Sequence, residues 1–175
     1  MKEAFVIWLT GIPASGKSTI GKSLITHLRN SVGVPVVRLE SDELRSFLTP
    51  QPTYSNEERD YFYGVIANLA RLLVENEINV VIDATANRSV YRERARSLVG
   101  NFLEVWLKCP VEICIQRDPK GIYRKAAQGA TQSVPGVQEE YEEPKSPEVT
   151  IESDKVSTEE SAALILKKLG EKGWI

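Results

Sequence analysis

The chain has 175 residues, with 22 basic and 24 acidic side chains, a formal net charge of −2 and 42% hydrophobic residues. That length suits one domain over 1–175, able to bury roughly 70% of its unfolded surface, and the near-balanced charge argues against a broad nucleic-acid-binding face. No apolar run approaches the ~18 residues of a membrane span, and the start enters a strand without a signal-peptide pattern, so a cytoplasmic protein acting on small molecules, with neither nucleic acid nor membrane as partner, is expected.

Apolar, β-branched runs predict strands near 4–10, 34–39, 78–83, 102–108 and 148–151. Helical periods predict helices near 17–31, 42–48, 55–76, 88–99, 110–118 and 157–170. The alternation implies βαβ units and an α/β fold. Its parallel five-stranded sheet carries helices on both faces and binds ligand beyond the carboxyl ends of the strands.

Between the first strand and first helix lies Gly11-Ile12-Pro13-Ala14-Ser15-Gly16-Lys17-Ser18-Thr19, which fits G-x-x-x-x-G-K-[ST]. Glycines permit close backbone approach, loop amides hold an anion, and Lys17 adds a positive charge where the β- and γ-phosphates of ATP would lie. The Ser18 hydroxyl suits Mg²⁺, a hard cation that prefers oxygen.

The second strand delivers Glu40-Ser41-Asp42-Glu43-Leu44-Arg45 to the same edge. Asp42 is placed to act on an acceptor hydroxyl or to hold metal through water; Ser41 or Asp42 could equally cap a helix. Arg45, one turn on, can pair with an anionic substrate. Ser55-Asn56-Glu57-Glu58 opens a long helix with a capping pattern. Arg59 in its first turn opposes the helix dipole and hints at a nearby negative group.

The third strand ends in Asp83, the usual place for an acid that holds the Mg²⁺ shell beside a phosphate loop. Whether Asp42 or Asp83 is the catalytic base is open on the sequence. Arg88, Arg92 and Arg96 follow at helical spacing along one face. Arg88 and Arg92, nearest the strand end, are read as substrate contacts; for Arg96 a solvated face is equally expected. Cys109 and Cys114 read as two buried thiols, and His27 as an ordinary helix residue.

Arg117-Asp118-Pro119-Lys120-Gly121-Ile122-Tyr123-Arg124-Lys125 carries four cations in nine residues, broken by Pro and Gly, and reads as a mobile lid over phosphates. The proline- and glycine-punctuated stretch 128–147 reads as a substrate-covering loop. Ser153-Asp154-Lys155 is expected to flank the adenine, and a terminal amphipathic helix packs Ala162, Ile165, Leu166 and Leu169.

With these residues assembled, the chain resembles the adenylylsulfate kinases, which phosphorylate the ribose 3′-hydroxyl of adenosine 5′-phosphosulfate (APS) and have a P-loop kinase fold. The resemblance rests on Val6-Ile7-Trp8-Leu9-Thr10-Gly11, on Arg117-Asp118-Pro119-Lys120-Gly121-Ile122-Tyr123, on Pro135-Gly136-Val137 through Tyr141-Glu142-Glu143-Pro144, and on Ser153-Asp154-Lys155. It implies Asp42 as catalytic acid/base and Arg45, Arg59 and Lys120 as substrate contacts. It further implies Tyr54 as an aromatic stacked on the acceptor adenine, and Arg117 and Asp154 at the ATP site.

The chain also departs from the family pattern. Two polar residues of the long helix are Phe62 and Gly64; the serine described as a phosphate carrier is Ala86; an aromatic clamp is replaced within Ser133-Val134-Pro135-Gly136. The expected reaction is ATP-dependent, Mg²⁺-assisted transfer of the γ-phosphate to APS. A second reading keeps the chemistry with another phosphorylated or nucleotide-linked alcohol. A nucleotide switch is a distant third, since the chain has no Asn-Lys-x-Asp motif and no Glu after Asp83. The oligomeric state is open and admits a homodimer.

Overall fold

The computed structural model describes residues 3–175. Strands β1 (Val6–Thr10), β2 (Val36–Glu40), β3 (Asn79–Asp83), β4 (Phe102–Lys108) and β5 (Val149–Glu152) form one parallel sheet in the order β2-β3-β1-β4-β5. Every residue of β1 is buried because helices cover both faces. Val6 and Trp8 pack with the long helix α3 (Asn56–Glu75) and with α4 (Ser89–Leu98). Ile7 and Leu9 face the opposite layer, α1 (Lys17–His27) and α7 (Thr158–Glu171). Pleating therefore divides one five-residue strand between two apolar cores.

Three helices lie at the carboxyl edge of the sheet: α2 (Ser41–Leu48), α5 (Val111–Arg117) and α6 (Ile122–Ala127). No sequence pattern marks α6, which forms within the expected lid. Gly121 enters it at φ 65°, and the Asp118 carboxylate accepts from the amides of Tyr123 and Arg124, capping a turn too short for periodicity to show. The first helix ends at His27 rather than 31, passing into a π-helical turn, Leu28–Val32, closed by Gly33 at φ 77°. Ser157 and Glu160 complete a reciprocal capping box at the start of α7. At α3, Ser55 accepts from the Glu58 amide, but the Glu58 carboxylate turns to Thr53 and Arg45. Among the described residues, no helix is long and apolar enough to cross a membrane.

The loop over 128–147 is fastened at several points. Arg59 donates to Ser133 O at 2.9 Å, and the Glu142 amide donates to Asn87 O at 2.8 Å. The Glu142 carboxylate accepts from the Ser89 amide and hydroxyl, and Tyr141 shares a hydrogen bond with Thr10. A Cβ on Gly136, which has φ 89°, would lie 2.8 Å from Ile12 Cγ2, so glycine lets this loop rest directly on the phosphate loop.

Arg92 overturns its expected role. It is 1% exposed, donates from Nε to Glu104 Oε1 at 2.7 Å, and donates to the carbonyls of Ala86 and Glu142. It is a strut joining α4, β4 and the loop, not an acceptor-binding group. Arg96 joins Glu104 and Glu148 beside it. Replacing one partner of such a pair strands the other charge in the interior. Arg92→Met is expected to lose ~3–5 kcal/mol of unfolding free energy, read by urea denaturation, with part recovered in Arg92→Met/Glu104→Gln.

Candidate active site

The strand-loop-helix geometry of the phosphate loop explains its glycines. A Cβ on Gly11 would lie 2.7 Å from the Leu107 carbonyl oxygen and 2.6 Å from Ser15 Oγ. Gly16 precedes α1 at φ 99°, and Ala14 also takes positive φ, so the loop curls with its amides inward. Among the described residues, Ser15 Oγ is buried without a hydrogen-bond partner. Lys17 is 9% exposed and donates from Nζ to Gly11 O at 2.8 Å and Ile12 O at 3.0 Å. Burial pulls its pKa down to about 8, with the Asp83 carboxylate opposing the fall. An ammonium held by two neutral carbonyls is poised for an anion.

A cavity of about 760 Å³ extends from this loop. Gly16, Lys17, Ser18, Thr19 and Pro13 line one part, with Arg117 and Ser153 close by; Asp42, Arg45, Tyr54, Arg59, Asp83 and Lys120 line the rest. Residues expected to meet the two substrates thus converge on one space, although they come from β3, five helices or their ends, and the lid. Gly11 and Ser15 are buried within the loop, and Ile12 turns its side chain toward Gly136 and an adjoining cleft.

Each acceptor-side residue has a protein partner. Lys120 is ion-paired with Asp42 and lies 3.7 Å from Glu40. Arg45 donates to Glu58 at 2.8 Å and sits 3.9 Å over the Phe62 ring and 4.8 Å over Tyr54. Phe62, where the family pattern has a polar residue, is the buried platform for that guanidinium. Arg59 donates to Tyr54 O, Asn87 Oδ1 and Ser133 O. Its expected negative partner is thus three neutral oxygens, which relieve a cation in the first turn equally well. Tyr54 holds this position at φ 56°.

Two further expectations fail on geometry. Arg88 is 49% exposed, lies 4.0 Å from Glu142, and is absent from the cavity wall. It stands at the N-cap position of α4 without a side-chain capping bond, and its side chain is largely exposed. Asp154 is exposed and borders the adjoining cleft; the turn presents Ser153 to the main cavity instead, because the Ser153 amide donates to Lys108 O. Cys114 is buried with its thiol pushed up to about 12, chiefly by burial, while Cys109 is half-buried; both are free.

Some functional neighbours carried no usable sequence signal. Tyr123 donates from its hydroxyl to Pro13 O at 2.8 Å, tying α6 to the phosphate loop. Val156, Ser157 and Thr158, at the start of α7, line the cavity although they are far from the loop in sequence. Arg38 on β2 reaches Asp83; the one available hint was two charges, Arg38 and Glu40, two residues apart in a short strand.

Comparison with known proteins agrees with this arrangement. The family model described as Adenylylsulphate kinase matches residues 3–152. A probable adenylyl-sulfate kinase from Pyrococcus abyssi is 36% identical over 173 residues, 99% of each chain. Another from Archaeoglobus fulgidus is 39% identical over 152 residues, covering 87% of this chain and 97% of the relative. Among solved structures, the APS kinase of Mycobacterium tuberculosis in complex with AMPPNP and APS superposes with a TM-score of 0.91 at 27% identity, over 97% of this chain and 99% of that one. A phosphate loop, a lid and an arginine-lined cavity, matched along most of the chain, make it a member of the adenylylsulphate kinase family.

Proposed function

We propose that the chain transfers the γ-phosphate of ATP to the 3′-hydroxyl of APS. The observation that carries this reading is one cavity with Lys17 at the phosphate loop and Asp42, Arg45, Arg59 and Lys120 on its remaining wall. ATP lies with its phosphates on the loop amides and Lys17, and its base toward Arg117 and the start of α7. Positioning and charge neutralisation then carry most of the rate, as expected for phosphoryl transfer.

Asp42 orients or deprotonates the acceptor hydroxyl. Its carboxylate is paired with Lys120, and an incoming phosphosulfate group draws Lys120 to itself and frees Asp42. Ala86 stands where the family pattern has a serine, and its buried backbone is held by Tyr63 and Arg92. No hydroxyl is available there, so transfer goes directly between the substrates.

The donor set fits magnesium. The Ser18 hydroxyl and the Asp42 and Asp83 carboxylates all line the cavity, and all are oxygen donors. Among the described residues no three acidic, histidine or cysteine side chains converge as a metal site, which matches a cation held largely by phosphates and water. When bound, the ion neutralises charge on the phosphates; Ser18 and Asp42 are the residues we assign to its shell.

Phe62 under Arg45 and Val134 packed against Cys114 and Tyr123 favour a second reading. Phe62 is buried under the guanidinium and Val134 packs into the protein at the edge of the cavity, where the family pattern has a polar contact and a ring, so the acceptor would be another phosphorylated or nucleotide-linked alcohol. An ADP-release assay across a panel of acceptors decides between the two. APS outrunning the others is the expected result; no turnover of APS by protein that binds ATP overturns the first reading.

Lys17→Ala is expected to reduce turnover by roughly 10²-fold or more, because it removes a charge that stabilises the transferring group. Product formed at an undiminished rate would contradict the role given to the loop. A pH series tests the same amine. Phosphate stabilises the ammonium, so the Lys17 pKa rises on binding. ATP affinity is then flat below the free value of about 8 and falls above it. Between pH 7.5 and 9, affinity measured by calorimetry should drop about tenfold, with proton uptake on binding.

A further inference from the structure

Asp83 sits at the end of β3, 2% exposed, and lines the cavity. Its one hydrogen-bond partner among the described residues is Arg38 on the neighbouring strand β2, whose Nη2 donates to Oδ2 at 3.2 Å. Parallel pairing sets this up. Val81 lies opposite Arg38 and Asp83 opposite Glu40, so Arg38, Glu40 and Asp83 share the sheet face covered by α1. Gly21 of α1 packs directly over this end of the sheet: a Cβ there would lie 3.3 Å from Leu9 Cδ1 and 3.9 Å from Asp83 Oδ2. Arg38 itself stands behind the cavity wall rather than on it, and also lies 3.6 Å from Glu40.

The charges around this point balance. Lys17, Arg38 and Lys120 are three cations; Asp83, Glu40 and Asp42 are three carboxylates. Asp83 exerts the strongest attraction on the Lys17 ammonium of any charged group, yet no ion pair joins the two among the described residues. Lys17 instead points to the carbonyls of Gly11 and Ile12.

We infer that Arg38 is a positioning residue that holds the Asp83 carboxylate away from Lys17, leaving the lysine free for the phosphates of the nucleotide. Without Arg38, Asp83 becomes an uncompensated buried anion beside the phosphate loop. It repels the phosphates and competes with them as an internal counterion for Lys17. The pair acts as one unit: the guanidinium matters because the carboxylate is there. This inference rests on the loop being the nucleotide site, and binding of ATP by the unaltered protein tests that premise separately.

The experiment is calorimetric titration with ATP in EDTA, so that no metal effect enters, on four variants whose folding is checked by thermal melting. Arg38→Met is expected to weaken ATP binding roughly tenfold, the order of one partly screened charge near the site. At pH 6, well below the free Lys17 value of about 8, Arg38→Met/Asp83→Asn, of nearly unchanged shape, should bind within about threefold of Asp83→Asn alone, because the guanidinium matters only while the carboxylate is there. Arg38→Lys keeps the charge and should stay within about threefold of the unaltered protein, which a role confined to the geometry of the guanidinium would not allow. If Arg38→Met fails to fold, the double variant and Arg38→Lys carry the test. Equal affinity in Arg38→Met, a double variant as far below Asp83→Asn as Arg38→Met is below the unaltered protein, or an Arg38→Lys protein as weak as Arg38→Met would each overturn the inference.

Discussion

Much of this molecule depends on keeping one ammonium group nearly dry and still charged. Lys17 is buried against two loop carbonyls, and burial works against its charged form, pulling its pKa down to about 8. The surrounding design answers that problem. Glycines at 11 and 16 let the loop close tightly over the amine, Asp83 holds the charge from below, and Arg38 restrains Asp83. A phosphate then meets a cation that is desolvated in advance, and the attraction is stronger than it would be in water.

The arginines divide by what they touch. Arg92 and Arg96 cross-link α4 to β4 and to the start of β5 through Glu104 and Glu148. Arg45 and Arg59 border the cavity but are braced within the protein, one by Glu58 and two aromatic rings, the other by three oxygens. Bracing fixes a planar group in one orientation, and a fixed donor loses less entropy when an anion arrives. Guanidinium groups at helical spacing look alike in a sequence; a buried carboxylate on the facing strand is what turns one of them into a strut.

The lid and the long loop show the same division. On the sequence, the first reads as a mobile lid and the second as a substrate-covering loop. In the folded chain Asp118 caps α6, Tyr123 ties that helix to Pro13, and Glu142 docks on the start of α4. Lys120 reaches across the cavity, where its ion pair with Asp42 links the lid to the acceptor side.

The sequence alone was enough to place five parallel strands, the phosphate loop, and the residues from Asp42 to Lys120 that meet in the cavity. These are local properties: apolar runs, glycines at fixed spacing, and charges delivered by strand ends. Strand bounds shifted by one or two residues, and the six-residue helix α6 was too short for its periodicity to register. What the tertiary structure decided was pairing across distance. Arg92 became a strut because Glu104 faces it; Arg88 turned outward at the start of α4; Ser153 displaced Asp154 at the cavity; and Arg38 met Asp83 through strand register. A charge acquires its role from the group opposite it, and that group is set by register and burial, which no short stretch of chain encodes.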